Sequence, residues 1–304
     1  MSVVNLYAFG MRPFTTPSTG LVTRTHRALR HVYKMFFNPY NFGDYLSYYL
    51  VKAICADRVA IVGQDYRNKL LAIGTILSAA QDGDYIWGTG ARRSDEIIPY
   101  RKNLTIKALR GPLTAAVLKR NNLLGNQSTD ILYFDPAVLI TIIHPELKPI
   151  HPKADSATVI IPHYADLKYL KEWNSQGLFS DATRLVSPFS HPLYIAKSIR
   201  KARRVIASSL HGLIMAEALG VEAVPFRLAT SHEPIFKYED YYEGTGRPLP
   251  KVARSPKEAL AMSWGGVKVP IYSPEKTAIF LRSFPFQLKK KFKSYLSAHE
   301  KSEP

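Results

Sequence analysis

Cysteine is almost absent from this chain of 304 residues, which contains only Cys55. The chain therefore cannot form an internal disulfide bond or build a cysteine-rich metal site. Long apolar runs are also absent, because no stretch reaches the roughly 18 residues that a membrane-spanning helix requires. The N-terminal segment is interrupted by Arg12, Pro13 and Pro17, so it lacks the continuous apolar core of a secretory signal. The sequence predicts a cytoplasmic protein.

Acidic residues are scarce, with 24 Asp and Glu against 41 Lys and Arg, and the formal net charge is +17. Near the C-terminus, basic and apolar residues are interleaved at near-helical spacing, which suits an anionic membrane surface as well as a solvated helix. The basic residues there are Lys289, Lys290, Lys291 and Lys293. We expect no nucleic acid partner, because the chain has neither an aromatic-glycine RNA motif nor a zinc finger.

Strand-like and helix-like segments alternate along the chain, which predicts an α/β fold with largely parallel sheets. A proline-rich stretch resists both helix and central strand, so we interpret it as a linker between two Rossmann-like domains that face a cleft. The predicted parts are an N-terminal, acceptor-side domain at 1–143 (with 1–30 as a candidate basic arm), a linker at 144–153, a C-terminal, donor-side domain at 154–272 and a basic helix or tail at 273–304.

Several local elements follow from composition and capping patterns. Val3–Phe9 is interpreted as a strand or a loose arm, Tyr33–Phe37 as a strand and Leu70–Ala80 as a helix. Ser255 and Ser273, each followed by proline, predict two helix starts.

A candidate ligand site follows the apolar strand that ends before Ser208. Its residues are Ser208, Ser209, His211 and Gly212. A helix is predicted to begin there, at the carboxyl edge of a parallel sheet, where open α/β folds bind ligands. Free N–H groups and the helix dipole favour a phosphate or carboxylate at this point, and a histidine exchanges protons near neutral pH. The alternative is a histidine that caps its own helix.

Three further segments combine turns with polar residues. Asp44 either caps a helix or, with Asn41 and Gly43, lines the cleft from the first half. The second segment, Trp87–Arg93, contains Thr89, Gly90, Arg92 and Arg93. Its spacing of glycines alone indicates a phosphate loop only weakly, and we expect Thr89, Gly90 and Arg92 to contact the acceptor or line the cleft. In the third, Arg110 falls where a strand ends and a helix begins, which suits either a surface ion pair or a clamp on a carboxylate or phosphate.

Together these segments resemble the polysaccharide pyruvyl transferase family, especially its succinoglycan and xanthan ketal transferases. The matching pieces keep one order over about residues 33 to 247. They are Asn41–Asp44, Trp87–Gly90, Leu109–Pro112, Asp135–Ala137, Val159–His163, Ser208–Gly212 and Phe236–Arg247. Each piece alone is weak, and the shared order carries the resemblance.

The resemblance implies a fold similar to GT-B glycosyltransferases, phosphoenolpyruvate as donor and a sugar diol as acceptor, in an exopolysaccharide or its lipid-linked precursor. It implies no cofactor. By resemblance, Arg110, His211 and Lys237 match positions that engage the donor. A site for such an anion needs several cations, for which Arg227 is a further candidate.

For the chemistry we expect His211 to act as acid and base, and Asp44 to orient the acceptor. His151, His163 and His191 are interpreted as structural, and no cluster has the spacing of metal ligands. Two rival functions remain open at this point. One is a GT-B-type glycosyltransferase that uses a nucleotide sugar, and the other is a non-catalytic protein that binds anionic glycans or membranes through its charge.

Overall fold

The computed structural model contains two parallel β-sheets, one in each half of the chain. The residues that it describes are 2–11, 40–99, 103–124, 131–147, 156–263 and 272–299. The strand predicted at Tyr33–Phe37, most of the basic arm, and residues 148–153 of the predicted linker lie outside them. The described part confirms the predicted α/β class with parallel sheets.

The first half forms a five-stranded sheet in the order β2-β1-β3-β4-β5, with every neighbouring pair parallel. Its strands are β1 (Val3–Tyr7), β2 (Arg58–Ile61), β3 (Leu70–Leu71), β4 (Tyr85–Trp87) and β5 (Thr105–Ala108). Its helices are α1 (Phe42–Ile54), α2 (Pro112–Arg120) and α3 (Ile140–Ile143), and short 3-10 turns occupy Leu77–Ala79, Pro136–Leu139 and Pro145–Leu147.

The second half forms a four-stranded parallel sheet in the order β7-β6-β8-β9. Its strands are β6 (Thr158–Ile161), β7 (Thr183–Leu185), β8 (Arg204–Ala207) and β9 (Ala223–Pro225). Its helices are α4 (Leu170–Ser175), α5 (Pro192–Arg200), α6 (Leu210–Ala218), α7 (Phe236–Gly244) and α8 (Pro256–Ala261), and a 3-10 turn occupies Tyr164–Tyr169. The alternation of strands with helical connections is what parallel pairing requires.

The prediction of a helix at Leu70–Ala80 is wrong. Leu70–Leu71 forms β3 between β1 and β4, and only Leu77–Ala79 makes a helical turn. The run from Leu70 to Ile73 is buried throughout, and a short continuous apolar run suits a buried parallel strand as well as a helix. Of the two interpretations of Val3–Phe9, the strand is confirmed for Val3–Tyr7 and the loose arm is wrong there, because β1 pairs on both sides.

Local capping signals are confirmed where the structure describes them. The Oγ atoms of Ser255 and Ser273 accept hydrogen bonds from the N–H groups of Glu258 and Lys276, both at 3.1 Å. These bonds satisfy backbone donors that a helix start otherwise leaves unpaired.

The C-terminal segment belongs to the body of the protein. Its helices, α9 (Pro274–Arg282) and α10 (Lys290–Ala298), return to the first half. The ring of Phe280 stacks on that of Trp87 at a centroid distance of 4.4 Å, and Phe292 is 2% exposed. The backbone N–H of Lys289 donates to the carbonyl of Ile54 at 2.9 Å. Among the described residues, no helix is both long and apolar enough to cross a bilayer.

The two halves share one hydrophobic core. Phe42 and Leu46 of α1 and Ile195 and Leu213 of the second half belong to the same buried cluster, and all are inaccessible to solvent. The relative position of the two sheets is therefore fixed by packing.

Helix α7 is fastened to the first half by a buried ion pair. Arg110 Nε donates to Asp240 Oδ2 at 2.9 Å, and both side chains are almost fully buried. Asp240 also accepts from the backbone N–H and the hydroxyl of Thr114, at 2.8 and 2.7 Å. Because each oxygen of Asp240 is used, the cost of burying the charges is offset.

The same helix is fastened to the second half by tyrosines. Tyr241 and Tyr242 each donate to one oxygen of the buried Glu217, at 2.8 and 2.9 Å. Arg247, just beyond the helix, adds an ion pair to Glu217 at 2.8 Å. Helix α7 therefore bridges the two halves.

Close approach of α7 depends on Gly111. A Cβ atom at this position would overlap the backbone carbonyl of Asp240, which cannot turn away as a side chain does. We therefore expect Gly111→Ala to lower the free energy of unfolding by about 1–3 kcal/mol, the usual cost of overpacking. Gly63→Ala is the matched control, because no atom lies within 4 Å of its added methyl group. Urea denaturation measures both variants. An equal effect of the two would show that the close approach of α7 does not depend on Gly111.

Candidate active site

Residues from both halves line one pocket where the strands end. The lining comes from segments that follow β1, β3 and β4 in the first sheet and β6 and β8 in the second, together with the starts of α1 and α7. Parallel strands present their carboxyl ends at one edge, where α/β folds bind ligands. The lining residues used below are Phe9, Asn41, Asp44, Thr75, Arg92, His163, Tyr164, Ser209, His211, Glu233 and Lys237.

Gly43 joins the two halves at this pocket. A Cβ atom on Gly43 would lie 2.6 Å from Nδ1 of His211, so the absence of a side chain admits the imidazole. The neighbouring Asp44 lies in the first turn of α1, which begins at Phe42 with Asn41 as its N-cap residue. Asp44 is therefore not the cap, and its side chain faces the pocket.

The carboxyl group of Asp44 holds its proton to a higher pH than an ordinary aspartate does. Burial raises its pKa to about 6, against the opposing effect of a hydrogen bond from Asn41 Nδ2 at 3.2 Å. The charge of Glu233 raises it further, and that of Lys237 lowers it. A group that titrates at this pH suits general acid–base chemistry.

His211 lies in the first turn of α6, two residues after the N-cap Ser209. Burial lowers the pKa of His211 to about 3, and the charges of Lys237 and Arg110 add to the effect. The imidazole is thus neutral at neutral pH in this structure, and the capping role belongs to Ser209, whose Oγ accepts from the Gly212 N–H at 3.4 Å.

Two cations in the pocket share one carboxylate. Lys237 Nζ donates to Glu233 Oε2 at 2.6 Å, and Arg92 of the other half donates to Glu233 Oε1 at 2.9 Å. Lys237 is 5% exposed, and burial lowers its pKa although Glu233 opposes that shift. Burial also disfavours the charge of Glu233, yet Lys237 and Arg92 hold its pKa below the usual range.

His163 has a structural role and also faces the pocket. Its Nδ1 accepts from the backbone N–H of Ala165 at 3.4 Å, which caps the turn Tyr164–Tyr169. Burial lowers its pKa to about 4, with Lys237 as the next cause. His191, by contrast, caps α5 by accepting from the Leu193 N–H at 3.2 Å, as a structural histidine does.

Arg110, predicted to clamp the donor, lies behind the pocket wall. Besides Asp240, its guanidinium donates to Thr75 Oγ1 at 2.9 Å and to the carbonyl of Ala91 at 2.8 Å. Gly90 is needed beside it, because a Cβ atom there would overlap the guanidinium group. Arg110 is 2% exposed and is not among the described residues that line the pocket. Its contact with a donor stays a prediction.

Thr89 and Ser208 also support the wall. The hydroxyl of Thr89 donates to the carbonyl of Gly74 at 2.8 Å and so holds a lining loop. Ser208 Oγ accepts from the His163 N–H at 2.8 Å and donates to Asp166 at 2.6 Å.

Two other predicted residues, Gly212 and Arg227, set the position of backbone segments around the pocket. Gly212 packs within 3.2 to 3.3 Å of strand side chains, measured from an added Cβ atom, so it sets how closely α6 approaches the sheet. Arg227 donates to the carbonyls of Glu233 and Ser231, at 2.7 and 3.0 Å, and shapes the loop that carries Glu233. Arg93 is exposed.

Sequence reasoning missed Glu233, although a signal existed. Glu233, just before α7, and Lys237 in its first turn are spaced i,i+4, a separation that brings opposite charges together in helical backbone. It also missed the partly exposed rings of Phe9 and Tyr164 at the pocket, which are 54% and 42% exposed. In the described part of the chain, no group of His, Cys, Asp and Glu is arranged to hold a metal ion.

Comparison with known proteins assigns the chain to a family. Residues 33–229, about two thirds of the chain, match the family model of polysaccharide pyruvyl transferases. The chain belongs to the polysaccharide pyruvyl transferase family. This confirms the family predicted from the sequence, and at the family level it makes the protein a pyruvyl transferase with a polysaccharide acceptor.

The relatives add little detail on this pyruvyl transferase. An uncharacterised protein of Acanthamoeba polyphaga mimivirus is 27% identical over 206 residues, which cover 65% of this chain and 67% of that protein. No solved structure gives a significant match. The family match includes Asp44, Arg92 and His211 but ends before Glu233 and Lys237, which line the same pocket.

The raised pKa of Asp44 predicts a pH-dependent change in the stability of this pyruvyl transferase. A carboxyl group whose pKa is higher in the native state binds its proton more tightly there, so its contribution to stability is lost as pH rises through about 6. We expect Asp44→Asn to raise the free energy of unfolding at about pH 7, by at most about 3 kcal/mol.

The gain should vanish at about pH 4, where the native wild-type carboxyl is protonated. Urea denaturation across this pH range measures the difference. Asp181→Asn, an exposed carboxyl group, is the control and should give a small, constant difference. A pH-independent gain for Asp44→Asn would mean that the carboxylate is not destabilised in the pocket.

Proposed function

We propose that this protein transfers the pyruvyl carbons of phosphoenolpyruvate to two hydroxyl groups of a sugar, forms a cyclic ketal and releases phosphate. The observation that carries the proposal is a carboxyl group with a raised pKa, Asp44, in one pocket with the cations Arg92 and Lys237. Phosphoenolpyruvate presents close to three negative charges and a carbon that must be protonated, so it needs both features.

The cations position the donor. Arg92 and Lys237 approach the pocket from opposite halves, and the start of α6 at Ser209 adds the positive end of a helix dipole. Hydrogen bonds and ion pairs in a site shielded from water are stronger than in bulk solvent, which favours the charge developed during transfer.

Proton transfer begins the reaction in this proposal. Protonated Asp44 delivers its proton to the methylene carbon of the donor, and positive charge develops at the carbon that bears the phosphate. A sugar hydroxyl attacks that carbon, and the oxonium that forms is acidic enough to pass its proton even to the weak base His211. The bond to phosphate breaks as His211 gives that proton to the leaving phosphate, and the second hydroxyl closes the ketal while its proton restores Asp44. The role of general acid thus passes from His211, which was expected to act as both acid and base, to Asp44, because a histidine with a pKa of about 3 carries no proton to donate at neutral pH.

The exposed rings of Phe9 and Tyr164 support a sugar acceptor. They approach the same pocket from the two halves and are 54% and 42% exposed. Ligand sites are commonly lined by aromatic side chains, and the flat face of a sugar ring packs against them. A lipid-linked precursor as acceptor and a GT-B-like arrangement of the two sheets both stay predictions.

Ligand-dependent melting tests the donor. Millimolar phosphoenolpyruvate should raise the melting temperature of the wild type, because a ligand that binds only the native state stabilises it by mass action. Lys237→Met, which keeps most of the apolar stem, should abolish the rise. Lys119→Met, an exposed lysine in the last turn of α2, should retain it. A rise with nucleoside diphosphates and none with phosphoenolpyruvate would favour a glycosyltransferase instead.

The rate of phosphate release tests whether Asp44 is the general acid. We expect Asp44→Asn to bind phosphoenolpyruvate but to release phosphate about a hundred- to ten-thousand-fold more slowly with an acceptor glycan, the usual worth of a general acid. Asp181→Asn again serves as the control. If Asp44→Asn released phosphate at the wild-type rate, Asp44 would not be the general acid.

The exposed lysines of α10 support attachment to an anionic membrane by charge alone. Lys290, Lys291 and Lys293 are exposed, whereas Phe292 between them is buried in the protein. The apolar side of this helix is therefore already occupied, and we do not expect it to insert into lipid.

Vesicle sedimentation tests this attachment. Replacing Lys290, Lys291 and Lys293 by glutamine should reduce binding to anionic vesicles, and salt should weaken binding of the wild type. Replacing Lys119, Lys171 and Lys201 removes equal charge elsewhere and should have less effect. Equal losses in both triple variants would mean that net charge, and not α10, causes binding.

A further inference from the structure

The two cations proposed to bind the donor already bind a carboxylate of the protein itself. Each oxygen of Glu233 is used, Oε2 by Lys237 at 2.6 Å and Oε1 by Arg92 at 2.9 Å. This inference rests on the proposed function, because it concerns the same pocket and the same anionic ligand.

The charges in the pocket do not match a highly charged donor while these bonds persist. Arg92, Lys237 and Glu233 together carry one net positive charge, both nearby histidines are neutral because of their lowered pKa, and Asp44 adds a negative charge whenever it is ionised. An anion with close to three negative charges would meet little compensation beside an ionised Glu233. Binding therefore favours release of the cations from Glu233.

The structure allows the carboxylate of Glu233 to move away from the two cations without unfolding the loop that carries it. The backbone of Glu233 is held independently, since its carbonyl accepts from Arg227 Nε at 2.7 Å and its N–H donates to Ser231 Oγ at 3.2 Å. The side chain of Arg92 is 45% exposed, so it can turn between Glu233 and a ligand, whereas Lys237 is nearly buried.

We propose that Glu233 is an internal competitor for the donor's cations: an incoming anion displaces its carboxylate, and its return helps to expel phosphate after transfer. Without a competitor, the cations that bind the phosphorylated donor would retain the phosphate product. Glu233 thus limits the affinity for the donor and maintains turnover.

The test compares Glu233→Gln with the wild type by calorimetric titration of inorganic phosphate and of phosphoenolpyruvate. The amide keeps the shape and a hydrogen-bond acceptor but loses the charge. We expect both ligands to bind about tenfold or more tightly, from the loss of one negative charge at close range. Glu243→Gln, at an exposed position of α7, removes equal charge outside the pocket and should bind as the wild type does.

A second variant guards against a merely structural effect. In an Arg92→Gln background, Glu233→Gln should gain less affinity, because one of the contested cations is gone, and a double-mutant cycle measures this coupling. With an acceptor glycan present, Glu233→Gln should also lower both KM for the donor and kcat, the latter because phosphate leaves slowly.

The outcomes separate this inference from the proposed function. Tighter phosphate binding in Glu233→Gln supports the competitor role even if phosphoenolpyruvate gives no product, in which case the proposed reaction fails alone. Unchanged, weaker or undetectable binding of both anions in a folded Glu233→Gln overturns the competitor role, even if the wild type forms a ketal. Glu233 would then only hold Lys237 in position.

Discussion

The buried ion pair between Arg110 and Asp240 is the interaction on which the rest of the structure depends. Removing both charges from water is costly, and the arrangement is tolerable because Arg110 also donates to Thr75 and Ala91 while Asp240 accepts from Thr114. Since Arg110 belongs to the first half and Asp240 to α7, the pair holds α7 between the sheets. The position of the pocket lysine on α7 follows from it.

The pocket gathers groups whose charged forms are disfavoured by burial. The pKa of Asp44 is raised, and those of His211 and Lys237 are lowered, with burial as the largest cause in each case. Such groups cost stability, and folded proteins keep them where chemistry needs them. The shared core of the two halves and the contacts of α7 offset that cost.

Much of the fold could be predicted because its signals are local. Ser255 and Ser273 cap helices through bonds to residues three positions along the chain. The run at Leu70 could not be assigned, because burial between two neighbouring strands, and not its own composition, makes it a strand. His211 and Asp44, predicted from their places at element ends, both line the pocket. Glu233 was missed, because its contact with Arg92 joins residues far apart in the sequence.

The sequence by itself determined the α/β alternation, the helix starts and the family, since each depends on short segments or on their order along the chain. Only the tertiary structure decided which charges meet. Arg110 and Lys237 look alike as candidate anion binders, yet one is enclosed by hydrogen bonds behind the wall and the other faces the pocket. Electrostatic interaction depends on distance and on exposure to water, and for residues remote in sequence both are set by packing.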